Sequence, residues 1–270
     1  MDQWLILVTT MLATGAVAGV LAGLFGIGGG VVIVPVLEAA LGFLGVDAAI
    51  RMHVAVATSL ATIVPTSISS ARAHHQRQSV DIDIVRQWAV FVLVGALLGA
   101  WIAAQVHSRV LALVFATLAL LVAFKMVLFP ESRNLTQSVP GGALVKLIPT
   151  AIGGFSSMMG IGGGTFSVMT LTLFNESIHR AVGTAALFGL VISVPATIGF
   201  IIAGWGDVRV PPGSLGYVSL IGFICIAPAT VFAAPLGARI AHGFSPRRLS
   251  MLFGAFLVLA SLRLFYRAIL

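Results

Sequence analysis

Gly26-Ile27-Gly28-Gly29-Gly30 and Gly160-Ile161-Gly162-Gly163-Gly164 carry the same five letters in the same order, one in each half of the chain. Each cluster sits inside an apolar run, where a glycine costs a helix about 1 kcal/mol relative to alanine. Two identical clusters of that cost read as paired backbone breaks that face one binding site.

The surroundings of the clusters are those of a bilayer protein. Of 270 residues, 59% are hydrophobic and 9% charged, with a mean hydropathy of +1.10; ordinary soluble domains carry about 25% charged residues. Charge-free runs extend over 3–37, 52–71, 87–108, 110–124, 147–175, 181–206, 210–238 and 249–262. A membrane helix needs roughly 20 residues, so the first, fifth and seventh runs have room for more than one element. The formal charge of +7 is scattered among the connections, which indicates topology rather than nucleic-acid binding. No P-loop is present, so ATP-driven transport is not expected, and no cofactor or metal is implied. Cys225 is the single cysteine and reads as a packing residue. The N-terminus lacks the positive region of a cleaved signal, so the first span is expected to be retained.

The echo extends beyond the glycines. His53-Val54-Ala55-Val56-Ala57-Thr58 aligns with His179-Arg180-Ala181-Val182-Gly183-Thr184, Gly99 to Ala103 with Gly237 to Ala241, Arg109 with Arg247, Lys125 with Arg263, and Pro65 with Pro195 after a short insertion. Ordered matches of this kind indicate an internal duplication: 1–130 as a first repeat, 131–142 as a polar linker and 143–270 as a second repeat. The expected fold is an all-α polytopic membrane protein of two homologous halves, read as inverted repeats. It has 8–10 membrane segments, with short broken helices after each glycine motif. In the first half the short segment is expected to run extended over Val31 to Val34 and to become helical near Pro35. The fourth segment of the second half is expected to start at Ser214. With five crossings per half and the N-terminus outside, Arg51, Arg109, Arg209, Arg263 and Arg267 lie outside, and the remaining ten of the 15 Lys and Arg lie inside; re-entrant short segments would instead give four crossings per half, parallel halves and, with the N-terminus inside, a split of nine against six.

Irregular backbone at membrane depth requires protein or a water-filled cavity to satisfy its N–H and C=O groups. Discontinuous helices in corresponding positions of two repeats are a common way to build a transport site. Free amides at the following helix start offer hydrogen bonds and partial positive charge to an anion. Small residues also serve close helix packing; the pairing favours a site.

These residues, Gly26 to Pro35, the second copy at Gly160 to Gly164 and the short His/Arg-Ala-Val-Ala/Gly-Thr motif, resemble the sulfite exporter TauE/SafE family, also called the toluene sulfonate uptake permease family. The resemblance covers essentially the whole chain. It implies a transporter of the bacterial inner membrane that moves sulfite, sulfonates or related organosulfur anions.

The expected substrate-binding residues are Gly28, Gly29, Gly30, Gly162, Gly163 and Gly164, with hydroxyls from Thr58, Ser59, Thr165 and Thr184. His53, His179 and Arg180 are candidates for proton coupling or for attracting the anion at the mouth, with local anchoring and topology as the alternatives. Glu38, an acid inside an apolar segment, is the candidate coupling carboxylate. Lys125 and Arg263 are expected to snorkel. The function expected is secondary transport of a small sulfur-containing anion, with export favoured and proton coupling as a hypothesis. The partners expected are that anion and the bilayer, without nucleic acid. A passive anion or small-solute channel is the alternative. An intramembrane enzyme is less favoured, because the spans hold no His/Asp, Ser/Lys or paired-carboxylate constellation.

Overall fold

The computed structural model describes residues 2–25, 29–76, 78–128, 143–174, 176–241 and 245–269. Gly26, Ile27, Gly28 and the linker 131–142 lie outside the described residues. Along the chain run α1 (Asp2–Phe25), α2 (Gly30–Phe43), α3 (Ala48–Gln76), α4 (Ile82–Gln105), α5 (Ser108–Leu128), α6 (Leu144–Met159), α7 (Gly164–Leu173) and α8 (Ile178–Ala203). A small hairpin follows, β1 (Ser214–Leu215) with β2 (Val218–Ser219), and then α9 (Leu220–Ala241) and α10 (Pro246–Ile269).

Among the described residues, five helices, α3, α4, α5, α8 and α10, are long and apolar enough to cross a membrane; α1, α2, α7 and α9 contain shorter apolar stretches. Their outward faces carry large apolar side chains, such as Trp101 at 65% exposure, Leu259 at 69% and Phe232 at 80%. Lipid accepts such a surface, whereas water does not. Trp88 of α4 and Phe188 of α8 are fully buried and stack at 6.1 Å, which ties the interior together.

Two sequence expectations are corrected. The stretch Val31 to Val34 is not extended: α2 is helical from Gly30 onward, with Pro35 inside it. Gly29 caps the helix without a side chain, and its carbonyl accepts from the amides of Val32 at 3.1 Å and Ile33 at 2.7 Å, so the turn closes before the proline is reached. Ser214 does not start a helix either. It pairs with Ser219 in the hairpin, where Gly213 and Gly216 take positive φ angles, and α9 begins after it.

The packing is exchanged between the first five helices and the last five. α1 lies along α9 and α4 along α6, while α3 packs on α8 and α5 on α10. Gly15 faces Ile226 and Gly19 faces Thr230, so α1 and α9 run parallel; Gly95 faces Thr150 and Gly99 faces Gly154, so α4 and α6 do as well. α3 and α8 run antiparallel, with Ser67 at Gly189 and His74 at Gly183, as do α5 and α10, where Gly254 meets Val127 at one end and Arg109 shares a cavity with Arg267 at the other. The parallel pairs approach through small residues. A Cβ at Gly19 would lie 2.7 Å from the Thr230 carbonyl oxygen, a gap that only glycine fits.

Candidate functional site

The start of α2 meets the second glycine turn. A Cβ on Gly30, the first residue of α2, would lie 2.7 Å from the Gly160 carbonyl oxygen and 3.0 Å from the Ile161 Cα. The second glycine turn gets its shape from left-handed residues. Gly160 (φ +69°) ends α6 and Gly163 (φ +73°) caps α7 without a side chain. Such angles disfavour any residue with a Cβ. The first-turn amides of α7 have no carbonyl one turn earlier in their own helix.

Where the turns meet, a cavity of about 650 Å³ opens, lined by Gly29, Gly30, Gly162, Gly164 and Thr165 from the turns. From there it extends along α3, past Thr62, Thr66, Ser67 and Ser70, toward His74, and along α5 to Lys125 and α7 to Thr172. No carboxylate is among its described lining residues. Lys125 makes no ion pair among the described residues, and the Thr165 hydroxyl is buried without a hydrogen-bond partner. An unmet buried hydroxyl costs about 1–3 kcal/mol, so a ligand able to accept from it gains that much. The wall thus combines two helix starts, one free hydroxyl and one ammonium.

Several expected site residues stand elsewhere. Gly163 does not line the cavity but shapes its turn, its amide donating to the Ile161 carbonyl at 2.8 Å. Ser59 donates to the Gly160 carbonyl at 2.9 Å and so holds the turn from α3. Thr58 accepts from the Ser219 amide at 3.0 Å, and Thr184 from the Asp81 amide at 2.9 Å. Asp81 and Ser219 stand just before α4 and α9, each accepting from first-turn amides of its helix. The two threonines therefore make the same bond across opposite halves and do not reach the cavity.

His53 is buried against Tyr217, with Nε2 at 3.0 Å from the Ala103 carbonyl and 3.1 Å from that of Val106. These contacts latch α3 to the end of α4. His179 is exposed. Arg180 pairs with Asp81 and with Glu176, so its charge is already met. Glu38 is buried at the other end of α2, with guanidinium nitrogens of Arg51 at 3.6 Å, Arg263 at 3.2 Å and Arg267 at 3.3 Å. Gly28 lies outside the described residues.

The cavity adds residues that sequence reasoning passed over. Thr62, Thr66 and Ser70 recur every four positions, a hydroxyl stripe on one helix face, and that spacing was a usable signal. Lys125 offered none by itself, because a cation near a helix end is equally suited to snorkelling.

Comparison with known proteins agrees with this architecture. The family model described as Sulfite exporter TauE/SafE matches residues 11–264. A probable membrane transporter protein of Haemophilus influenzae is 35% identical over 263 residues, covering 95% of this chain and 97% of that protein. Probable membrane transporter proteins of Bacillus subtilis (YunE) and Methanocaldococcus jannaschii (MJ0441) are each 23% identical, the first over 96% of this chain and 97% of its own length, the second over 94% of each. No solved structure matches.

Proposed function

We propose that this chain, which belongs to the sulfite exporter TauE/SafE family of membrane transporters, carries a small sulfur-containing oxyanion, sulfite or a sulfonate, through the cavity between its glycine turns. The observation that carries this is the chemistry of the wall: the Lys125 ammonium, the partnerless Thr165 hydroxyl and two helix starts, with no carboxylate among the described lining residues. A tetrahedral or pyramidal oxyanion accepts from several donors at once, and a site of fixed positive potential favours it over a cation or a neutral solute.

The two halves, 1–130 and 143–270, act as inverted repeats around the site. The exchanged pairing of α1 with α9 and α4 with α6, the antiparallel packing of α3 on α8 and α5 on α10, and the twin bonds of Thr58 and Thr184 support that relation. Lys125 and His74 lie at the cavity end of α5 and α3, the side that carries ten of the 15 Lys and Arg when the connections are followed. By the positive-inside rule this side is cytoplasmic, so the cavity faces the cytoplasm in this state; net direction follows the gradients, and export is the direction that the family resemblance implies. Proton coupling belongs to the same proposal and is separable from passive conduction. Uptake into reconstituted vesicles driven by an imposed pH gradient at clamped voltage indicates coupling; uptake that follows voltage alone indicates a channel.

A further inference from the structure

A second cavity, of about 400 Å³, lies at the opposite end of the same helices, lined by Glu38, Arg51, Arg109 and Arg267 with Ser108 and Ala268. On α5, Arg109 belongs to this cavity and Lys125 to the first, a separation of about 24 Å of helix rise. On α3, Arg51 and His74 divide in the same way. The two cavities therefore open toward opposite faces of the bundle.

Three guanidiniums and one carboxylate line the second cavity, which leaves it positive. Arg51 Nη1 and Arg267 Nη1 both turn to Glu38 Oε1, at 3.6 Å and 3.3 Å, and Arg263 approaches Oε2 at 3.2 Å. The two guanidiniums converge over Gly42, where a Cβ would lie 2.7 Å from Arg267 Nη1 and 3.2 Å from Arg51 Nη1. Arg109 makes no ion pair among the described residues. The matched positions at the other end are instructive. Glu38 aligns with Thr172 and Arg263 with Lys125, and both counterparts line the first cavity. At the first cavity a cation and a hydroxyl share the wall; at the second end the matched cation pairs with a carboxylate.

We propose that Arg51, Arg109 and Arg267 form a second site for a small oxyanion, which Glu38 occupies as a built-in competitor in this state. An arriving oxyanion takes the guanidinium contacts of the carboxylate, freeing Glu38 of α2 from the arginines of α3 and α10. This rests on the anion-transport function above, since the same solute must leave at this end.

Replacing Cys225 by serine makes an introduced cysteine the sole thiol of the full chain, so Ala268→Cys reports the second cavity and Thr172→Cys the first. The readout is protection from N-ethylmaleimide by methanesulfonate in neutral phosphatidylcholine vesicles. Methanesulfonate is expected to protect Ala268→Cys, with Glu38→Gln lowering the half-protecting concentration about tenfold and Arg109→Gln abolishing protection. Arg109 is exposed and makes no ion pair among the described residues, so its variant is expected to keep the fold, and Arg109→Lys is expected to restore protection. If vesicles containing phosphatidylglycerol protect without methanesulfonate, and Arg109→Gln removes that protection too, the oxyanion is a lipid headgroup phosphate. Absence of protection by either, or protection indifferent to both Glu38→Gln and Arg109→Gln, overturns the site. Protection of Thr172→Cys alone defeats this second site and spares the transport cavity, whereas protection of Ala268→Cys alone does the reverse.

Discussion

At the scale of single residues, two side chains separate binding from folding. The Thr165 hydroxyl has no protein partner, so Thr165→Val removes a ligand contact and relieves an unmet polar group. Transport is expected to fall while the melting temperature of the purified protein holds or rises; a fall in both would make the hydroxyl structural. Lys125 supplies the charge. Lys125→Gln is expected to raise the KM for the anion about tenfold, equivalent to about 1.4 kcal/mol, with Lys125→Arg retaining most activity. Thr58 and Thr184 belong to the other category, because their oxygens accept amides at the starts of α9 and α4. Their replacement by valine is expected to lower stability. The sequence showed that these threonines match, but their partners lie in the opposite half of the chain, where local spacing carries no information.

At the scale of elements, the broken helices were legible because glycine is costly inside a helix and the same cluster of four within five residues recurs in both halves, unlike the isolated glycines at packing contacts. Gly163 takes φ +73°, and a Cβ there would lie 2.5 Å from Ile192 Cδ1. Gly163→Leu is expected to abolish transport while the protein still inserts; normal transport by this variant would contradict the central site. The start of α2 was less legible. Pro35 suggested a first helical turn and so extension over Val31 to Val34 before it, but burial of those residues among α1 and α3 prevails over that local preference. The connection before α9 offers a pH test. Arg209 donates to Asp207 and holds its carboxyl down at about 2, so the stabilisation is complete above the ordinary carboxyl range and is lost as pH falls through 2. Asp207→Asn is therefore expected to lower stability slightly at neutral pH, with the difference from the parent closing near pH 2 in thermal melts.

At the scale of the whole molecule, each end carries a cavity, and the two differ in whether the cation is paired with a carboxylate. One end presents Lys125 and Thr172, and the other presents the Arg263–Glu38 ion pair at matched positions. The duplication was legible because ordered Gly, His, Thr, Pro and Arg matches survive in the sequence. The asymmetry at Glu38 was visible as a difference between copies, but the three arginines around it come from α3 and α10, and only the fold assembles them. The claim on which the rest depends is that a sulfur oxyanion moves through the cavity between the glycine turns. Counterflow in vesicles holding the purified chain tests it most directly, with sulfite, thiosulfate, sulfonates and carboxylates as competitors and Lys125→Gln beside the parent. The expected result is exchange preferring a sulfur oxyanion and weakened by Lys125→Gln; a preference for carboxylates or neutral solutes, or exchange indifferent to Lys125, would contradict it.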